Sequence, residues 1–144
     1  MARSVKVNKK KVTPPNAFQR QANELDKAYN TIKGYFQKWI PLLGLENWSI
    51  KDRYHMTFKD GGSGNDTLAD AGGYWEYMSG HVNFYLPAMI DASTDWESVV
   101  IHELCHFVVM EMRNPDNPIS PHEERVVSML ENAFMRIGAE PKKK

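Results

Sequence analysis

The sequence predicts a single α+β domain, and three observations carry that expectation. A helical period runs through residues 16–40 and again through 121–137. A period of two runs through 48–58, followed by two glycine-punctuated aromatic segments between 72 and 86. An unbroken helix-forming run fills 94–112. The order is helix, strands, helix, helix, and the strands are expected to make a small, mostly antiparallel sheet.

Asn16 is the expected N-cap of the first helix, in which Phe18, Leu25, Tyr29, Ile32, Phe36 and Ile40 recur at three- and four-residue steps. Pro41 and Gly44 should end it. This helix asks for no chemistry; its stripe is meant to pack on the outside of the sheet. From Trp48 to Phe58, the residues Trp48, Ile50, Tyr54, Met56 and Phe58 alternate with polar ones, and only Asp52 breaks the pattern. That alternation reads as a half-buried strand with His55 on its solvent face.

Asp60 to Asp66 is a Gly-rich loop. It lacks the Lys of a phosphate loop and the acidic spacing of an EF-hand, so it reads as a connection. Gly72–Tyr77 and His81–Leu86 flank Met78-Ser79-Gly80 and should form a hairpin. An edge strand there can hold an extended peptide through its unpaired backbone groups. Tyr74, Trp75, Tyr77, Phe84 and Tyr85 read as packing aromatics. Pro87 to Asp95 is the connection to the next helix. There Thr94 with Glu97 matches a capping box, and the helix should run to about Met112. A loop, Arg113 to Pro121, leads to a last helix that begins near Ser120 or Pro121 and stops at Gly138. Its expected stripe is Val126, Val127, Leu130, Ala133, Phe134 and Ile137.

The chain has 144 residues, of which 42% are hydrophobic and 25% charged, enough for one domain with a real core. Residues Met1 to Val12 contain no apolar run of signal-peptide length, no segment approaches the length of a membrane span, and the lone Cys105 cannot form an internal disulfide. A cytoplasmic protein is expected, in a host cell's cytoplasm if a phage encodes it. The formal net charge of zero divides unevenly: residues 12–141 hold 10 basic and 18 acidic residues, and the remaining lysines and Arg3 lie at the two ends. Residues 1–15 read as a flexible basic arm, 16–138 as the domain and 139–144 as a Lys-rich tail. Such arms can touch DNA, but no aromatic residues interleave with the lysines to stack on bases, so solvated ends are the plainer reading.

The chemistry centres on His102-Glu103-Leu104-Cys105-His106, an H-E-x-x-H motif. Two histidines four apart on a helix sit one turn above each other and can share a metal ion, while Glu103 can reach a water beside that ion. The helix supplies a metal grip and a general base together. Two His leave Zn²⁺ short of a third protein ligand. The pattern that places a further His six residues on fails, because Val109 and Met112 stand where Gly and His would be. If the last helix folds back on this one, its first turn offers His122, Glu123 and Glu124. Glu123 lies in line with Val127, Leu130 and Phe134, while Glu124 sits on the flank of that stripe. Cys105 lies on a different helical face and reads as a buried thiol.

On these residues the chain resembles the gluzincin branch of zinc metallopeptidases, in which a Glu on a later helix completes H-E-x-x-H. In length and element order it is similar to minimal metallopeptidase-like proteins of phages and prophages, with kinship to SprT-like and ImmA/IrrE-type proteins. The resemblance implies a zincin-like fold: an N-terminal helix, a small sheet, a metal-binding helix and a C-terminal ligand helix. In such relatives the ligand Glu is followed by apolar residues two and six positions on, as Glu124 is by Val126 and Leu130. One Zn²⁺ per chain is therefore expected on His102, His106 and Glu124, with Glu123 in reserve. The expected activity is hydrolysis of a peptide or protein substrate with Glu103 as general base. Thermolysin-like relatives carry an Asp four residues after the ligand to orient a histidine; Ser128 stands there in this chain. His81, Tyr74 and His122 are nominees for the oxyanion-stabilising role. Two other readings accompany this one: a zinc-binding regulatory module that contacts DNA or protein without turnover, and a SprT-like protease acting on DNA-bound proteins.

Overall fold

The computed structural model describes residues 16–59, 66–112 and 121–138. The two Lys-rich ends, most of the Gly-rich loop and most of the Asn-Pro loop lie outside those residues. The described residues form an α+β arrangement of four α-helices and one three-stranded sheet. Among the described residues, no helix is long and apolar enough to cross a membrane.

Helix α1, Ala17–Leu42, begins as expected at Asn16, whose Oδ1 accepts from the Gln19 N–H at 2.8 Å while Gln19 Oε1 accepts from the Asn16 N–H at 3.1 Å. Pro41 does not stop the helix but sits in its last turn. The stop is a Schellman motif: Gly44 takes φ +70°, its N–H donates to Pro41 O at 3.1 Å, and the Leu45 N–H donates to Ile40 O at 3.0 Å. The buried face is Ala28, Ile32, Phe36 and Trp39. Phe18 is 79% exposed because the first two turns run past the core.

Strand β1 is Ser49–His55, β2 is Ala69–Tyr74 and β3 is Ser79–Tyr85, in the spatial order β1-β3-β2. Here the expectation of a mostly antiparallel sheet fails, since β1 and β3 pair in parallel and only β2 and β3 are antiparallel. The hairpin inserts its second strand between its first strand and β1, which gives the centre of the sheet to the strand carrying the fully buried Val82 and Phe84. The hairpin itself is present, but its turn is a 3-10 turn at Trp75–Tyr77, closed by Met78 at φ 46°. Asp52, the break in the alternation of β1, faces inward and accepts from the Tyr54 OH at 2.9 Å.

The stretch expected to be a plain connection contains helix α2, Leu86–Asp91, with Pro87 in its first turn and Leu86, Ala88 and Met89 buried. Helix α3, Trp96–Val109, continues as a 3-10 turn to Met112. Its N-cap is Asp95, not Thr94: Asp95 Oδ1 accepts from the Glu97 and Ser98 N–H groups at 2.9 and 3.4 Å. Glu97 turns away from the cap to accept from Trp39 Nε1 at 2.8 Å and Lys38 Nζ at 2.7 Å, tying α3 to α1. α3 is the central helix, buried on nearly every side. Its Phe107 lies against the hairpin, where a Cβ on Gly80 would collide with the ring. Helix α4, Pro121–Gly138, packs along α3. Its buried face is centred on Glu123 and Val127, with Leu130, Glu131 and Phe134 half-buried, whereas Ala133 and Ile137 are exposed. The helix is thus rotated from the expected stripe so that carboxylates face α3.

Candidate metal centre

His102 and His106 project from one face of α3, their ring centroids 5.2 Å apart. Each ring is held by a carboxylate of α4. His102 Nδ1 lies 2.9 Å from Glu131 Oε2, and His106 Nδ1 lies 2.9 Å from Glu123 Oε1. An ionised carboxylate can only accept, so in each pair Nδ1 is the donor, and a neutral imidazole so held has its lone pair on Nε2. Glu131 is itself fixed by the Ser98 hydroxyl, which donates to its other oxygen.

Both Nε2 atoms then face Glu124. His102 Nε2 is 3.4 Å from Glu124 Oε2, and His106 Nε2 is 3.4 Å from Glu124 Oε1. One ligand atom from each residue lies within 4.8 Å of the others. Zinc bonds of about 2.0–2.2 Å at a tetrahedral angle place two ligand atoms roughly 3.3–3.5 Å apart; each histidine meets one Glu124 oxygen at that spacing, and the three ligand atoms, within 4.8 Å of one another, would draw together around the ion. Glu124 is 47% exposed on its side chain, which leaves an approach for a further ligand from solvent. Glu123, the reserve third ligand, faces the far nitrogen of His106 and is 9% exposed.

Glu103 is 8% exposed and accepts no hydrogen bond from any described residue. It lines two adjoining cavities. One, of about 270 Å³, contains the His-His-Glu group and is walled by Ala69, Asp70 and Ala71 of β2. The other, of about 240 Å³, runs beside α3 towards Thr94 and Ser98. Burial pushes the Glu103 carboxyl up to about 7; the His102 ring draws it down, and Asp70, Glu124 and Glu131 push it further up. An acid of that pKa can both take and release a proton near neutrality. Burial also tends to raise Asp70, but bonds from Asn83 Nδ2 at 2.7 Å, Lys59 Nζ at 3.0 Å and the Tyr85 OH at 2.9 Å outweigh it and hold the carboxyl low.

The open edge of the sheet passes over this centre. The Tyr85 N–H donates to Leu68 O at 3.0 Å, and the antiparallel alternation that follows turns the backbone groups of Asp70, Gly72 and Tyr74 towards β3. Those of Ala69, Ala71 and Gly73 point away from β3, to the side where no described strand pairs with β2. Two of these three residues line the metal cavity.

The nominated oxyanion residues are elsewhere. His81 lies beside Gly72 on the sheet face opposite Val82 and Phe84, Tyr74 is exposed at the end of β2, and His122 is exposed on α4; none lines either cavity. His55 is not a solvent-facing residue. It is half-buried, stacked on Tyr85 at 4.9 Å, with Nε2 3.0 Å from Asn83 Oδ1. Cys105 is fully buried away from the group, and burial pushes its thiol up to about 12. Ser128 does not orient a histidine. That role falls to Glu131, two helical turns beyond Glu124 on the same side of α4, a spacing readable in the sequence once Glu124 is placed. In comparison with known proteins, no family model, no curated protein and no solved structure matches the chain.

Proposed function

We propose that the chain is a zinc-dependent peptide hydrolase of the gluzincin type. The observation that carries this reading is the convergence of two carboxylate-anchored histidines on one exposed carboxylate, with Glu103, which has no hydrogen-bond partner among the described residues, lining the same cavity. A zinc ion held by His102, His106 and Glu124 supplies Lewis acidity, acidifying water and polarising a carbonyl. Glu131 and Glu123 keep the two Nε2 lone pairs aimed at that point. Glu103, which lines the same cavity as the two histidines, would take the proton of the attacking water and pass it to the leaving amine. The free groups of Ala69, Ala71 and Gly73 give an extended backbone somewhere to pair beside the reacting centre, which favours a polypeptide over a small rigid substrate.

The test is elemental analysis of the purified protein beside His102→Ala, Glu123→Ala and Glu124→Ala, followed by hydrolysis of unfolded proteins by the wild type and Glu103→Gln. The reading expects one zinc per chain, lost in His102→Ala and Glu124→Ala, and hydrolysis that disappears in Glu103→Gln while zinc stays bound. A wild type that takes up no divalent metal would end it. Zinc bound without any Glu103-dependent hydrolysis would leave a metal-binding module.

A further inference from the structure

The β2–β3 hairpin ends in a cluster of exposed apolar side chains. Tyr74, Trp75, Tyr77 and Met78 are 68, 43, 79 and 41% exposed, four of five consecutive residues. Other exposed large hydrophobics, such as Phe18, Met56 and Ile137, stand singly along the chain. A contiguous patch of this kind marks a contact surface where scattered residues do not. The tip is also held in shape. The Met78 N–H donates to Trp75 O at 3.0 Å, the Ser49 N–H donates to Met78 O at 2.8 Å, and the Tyr74 and Tyr77 rings meet edge to face at 6.5 Å. Beneath it, Gly73 and Gly80 let the hairpin lie directly on Phe107 of α3, the helix that carries both histidines.

The tip continues the open edge of β2. Ala71 borders the His-His-Glu group, Gly73 presents the next outward backbone groups, and Trp75 follows. At about 3.3–3.4 Å per residue, Ala71 and Tyr74, the last residue of β2, are about 10 Å apart along the strand. A chain paired with β2 across the His-His-Glu group therefore brings a residue about three positions from the reacting bond to the start of the aromatic tip.

We propose that the tip formed by Tyr74, Trp75, Tyr77 and Met78 is a docking site for an extended, unfolded polypeptide already paired with β2, and that it takes an apolar side chain of that polypeptide. The choice of occupant rests on the peptide-hydrolase reading. A folded partner can offer only a sheet edge or an extended loop, whereas an unfolded chain can lay any segment along β2 and continue over the tip, and rigid tyrosine and tryptophan rings give contact area at small entropic cost.

The test uses zinc-loaded Glu103→Gln protein, which holds without cutting, and fluorescein-labelled, reduced and carboxymethylated α-lactalbumin as the unfolded probe, read by fluorescence anisotropy. Replacing both Tyr74 and Tyr77 by Ser is expected to raise Kd about tenfold, the loss of two exposed aromatic anchors. Zinc content and thermal unfolding should not move. Ile137→Ser, as exposed as Tyr77 but at the end of α4 remote from Glu124, is expected to leave Kd unchanged, and disulfide-intact α-lactalbumin should not bind. Absence of binding, an unchanged Kd in the double variant, or an equal loss in Ile137→Ser overturns the proposal. Hydrolysis of the same probe by the wild type is measured separately. Tip-dependent binding without hydrolysis defeats the peptidase reading alone, and hydrolysis with tip-independent binding defeats the tip alone.

Discussion

Glu131 Oε2 lies 2.9 Å from His102 Nδ1, on the side of the ring away from Glu124, and its other oxygen accepts from Ser98. The imidazole is therefore held between a fixed acceptor and the point where a metal would sit. Glu131→Ala should weaken zinc binding by about 10–100-fold, the usual effect of losing a carboxylate behind a histidine ligand. Glu131→Gln should lose less, because its amide oxygen can still accept from Nδ1–H. Chelator competition measures both, and equal loss in the two variants would mean that charge, not orientation, is what Glu131 provides.

Glu123 and Glu124 are sequence neighbours with opposite jobs. Glu124 faces both Nε2 atoms, while Glu123 holds Nδ1 of His106 at 2.9 Å from a buried position. Glu124→Ala is expected to abolish stoichiometric zinc. Glu123→Ala should keep zinc at reduced affinity and destabilise the fold by roughly 1–3 kcal/mol, since it leaves a buried imidazole N–H without its acceptor. Zinc titration with thermal unfolding distinguishes the two.

Saturating zinc should stabilise the wild type, because a site assembled from α3 and α4 exists only when the helices are packed. At free zinc a hundred times Kd the gain is about 2.7 kcal/mol. For a domain near this size that corresponds to roughly 5–10 °C in Tm. Chelation should reverse the shift, and His102→Ala should show none.

Glu97 gives a pH dependence with a definite sign. Burial tends to raise its carboxyl, but bonds from Lys38 and Trp39 outweigh burial and hold it below the usual range. The folded state thus favours the ionised form. The resulting stability is present above the ordinary carboxylate pKa of about 4.3 and is lost as pH falls through the lower folded value. Glu97→Gln should destabilise at pH 6 by about 1–2 kcal/mol, the worth of hydrogen bonds to a charged group. The gap between the variant and the wild type should then shrink towards pH 3. A gap that stays constant in thermal unfolding across that range would refute the assignment.

Local signals in the sequence were legible and long-range choices were not. Asn16 could be read as an N-cap because the groups it caps lie within one turn, among them its capping-box partner Gln19. Thr94 with Glu97 has the same local pattern and misleads, because Trp39, 58 residues away, competes for the Glu97 carboxylate. The spacing of His102 and His106 sets their common face without tertiary information, whereas Glu131 pairs with His102 only through the crossing of α4 over α3. The parallel pairing of β1 with β3 is likewise invisible in either strand's alternation. It depends on which strand takes the centre of the sheet, and the fully buried Val82 and Phe84 occupy that place.

Gly80 tests whether the sheet and α3, which carries His102 and His106, act as one body. It pairs with Gly73 in β2 and Ile50 in β1, and Phe107 fills the space its missing Cβ leaves. A Cβ at Gly80 would meet both the Phe107 ring and the Gly72 carbonyl oxygen, so Gly80→Ala must displace the ring and shift the hairpin backbone, and should destabilise by about 1–3 kcal/mol, as overpacking of a filled core does. The displaced hairpin would carry Ala69 and Ala71 with it, so the cavity beside His102 and His106 should open and any cleavage of unfolded protein should fall. Phe107→Leu alone leaves a void and is also destabilising. Combined with Gly80→Ala it should recover part of the loss, because the added methyl then meets the space vacated by the ring. Strictly additive effects in the double-mutant cycle would mean that Phe107 does not seat the hairpin, and the link between edge strand and metal centre would have to run through another contact.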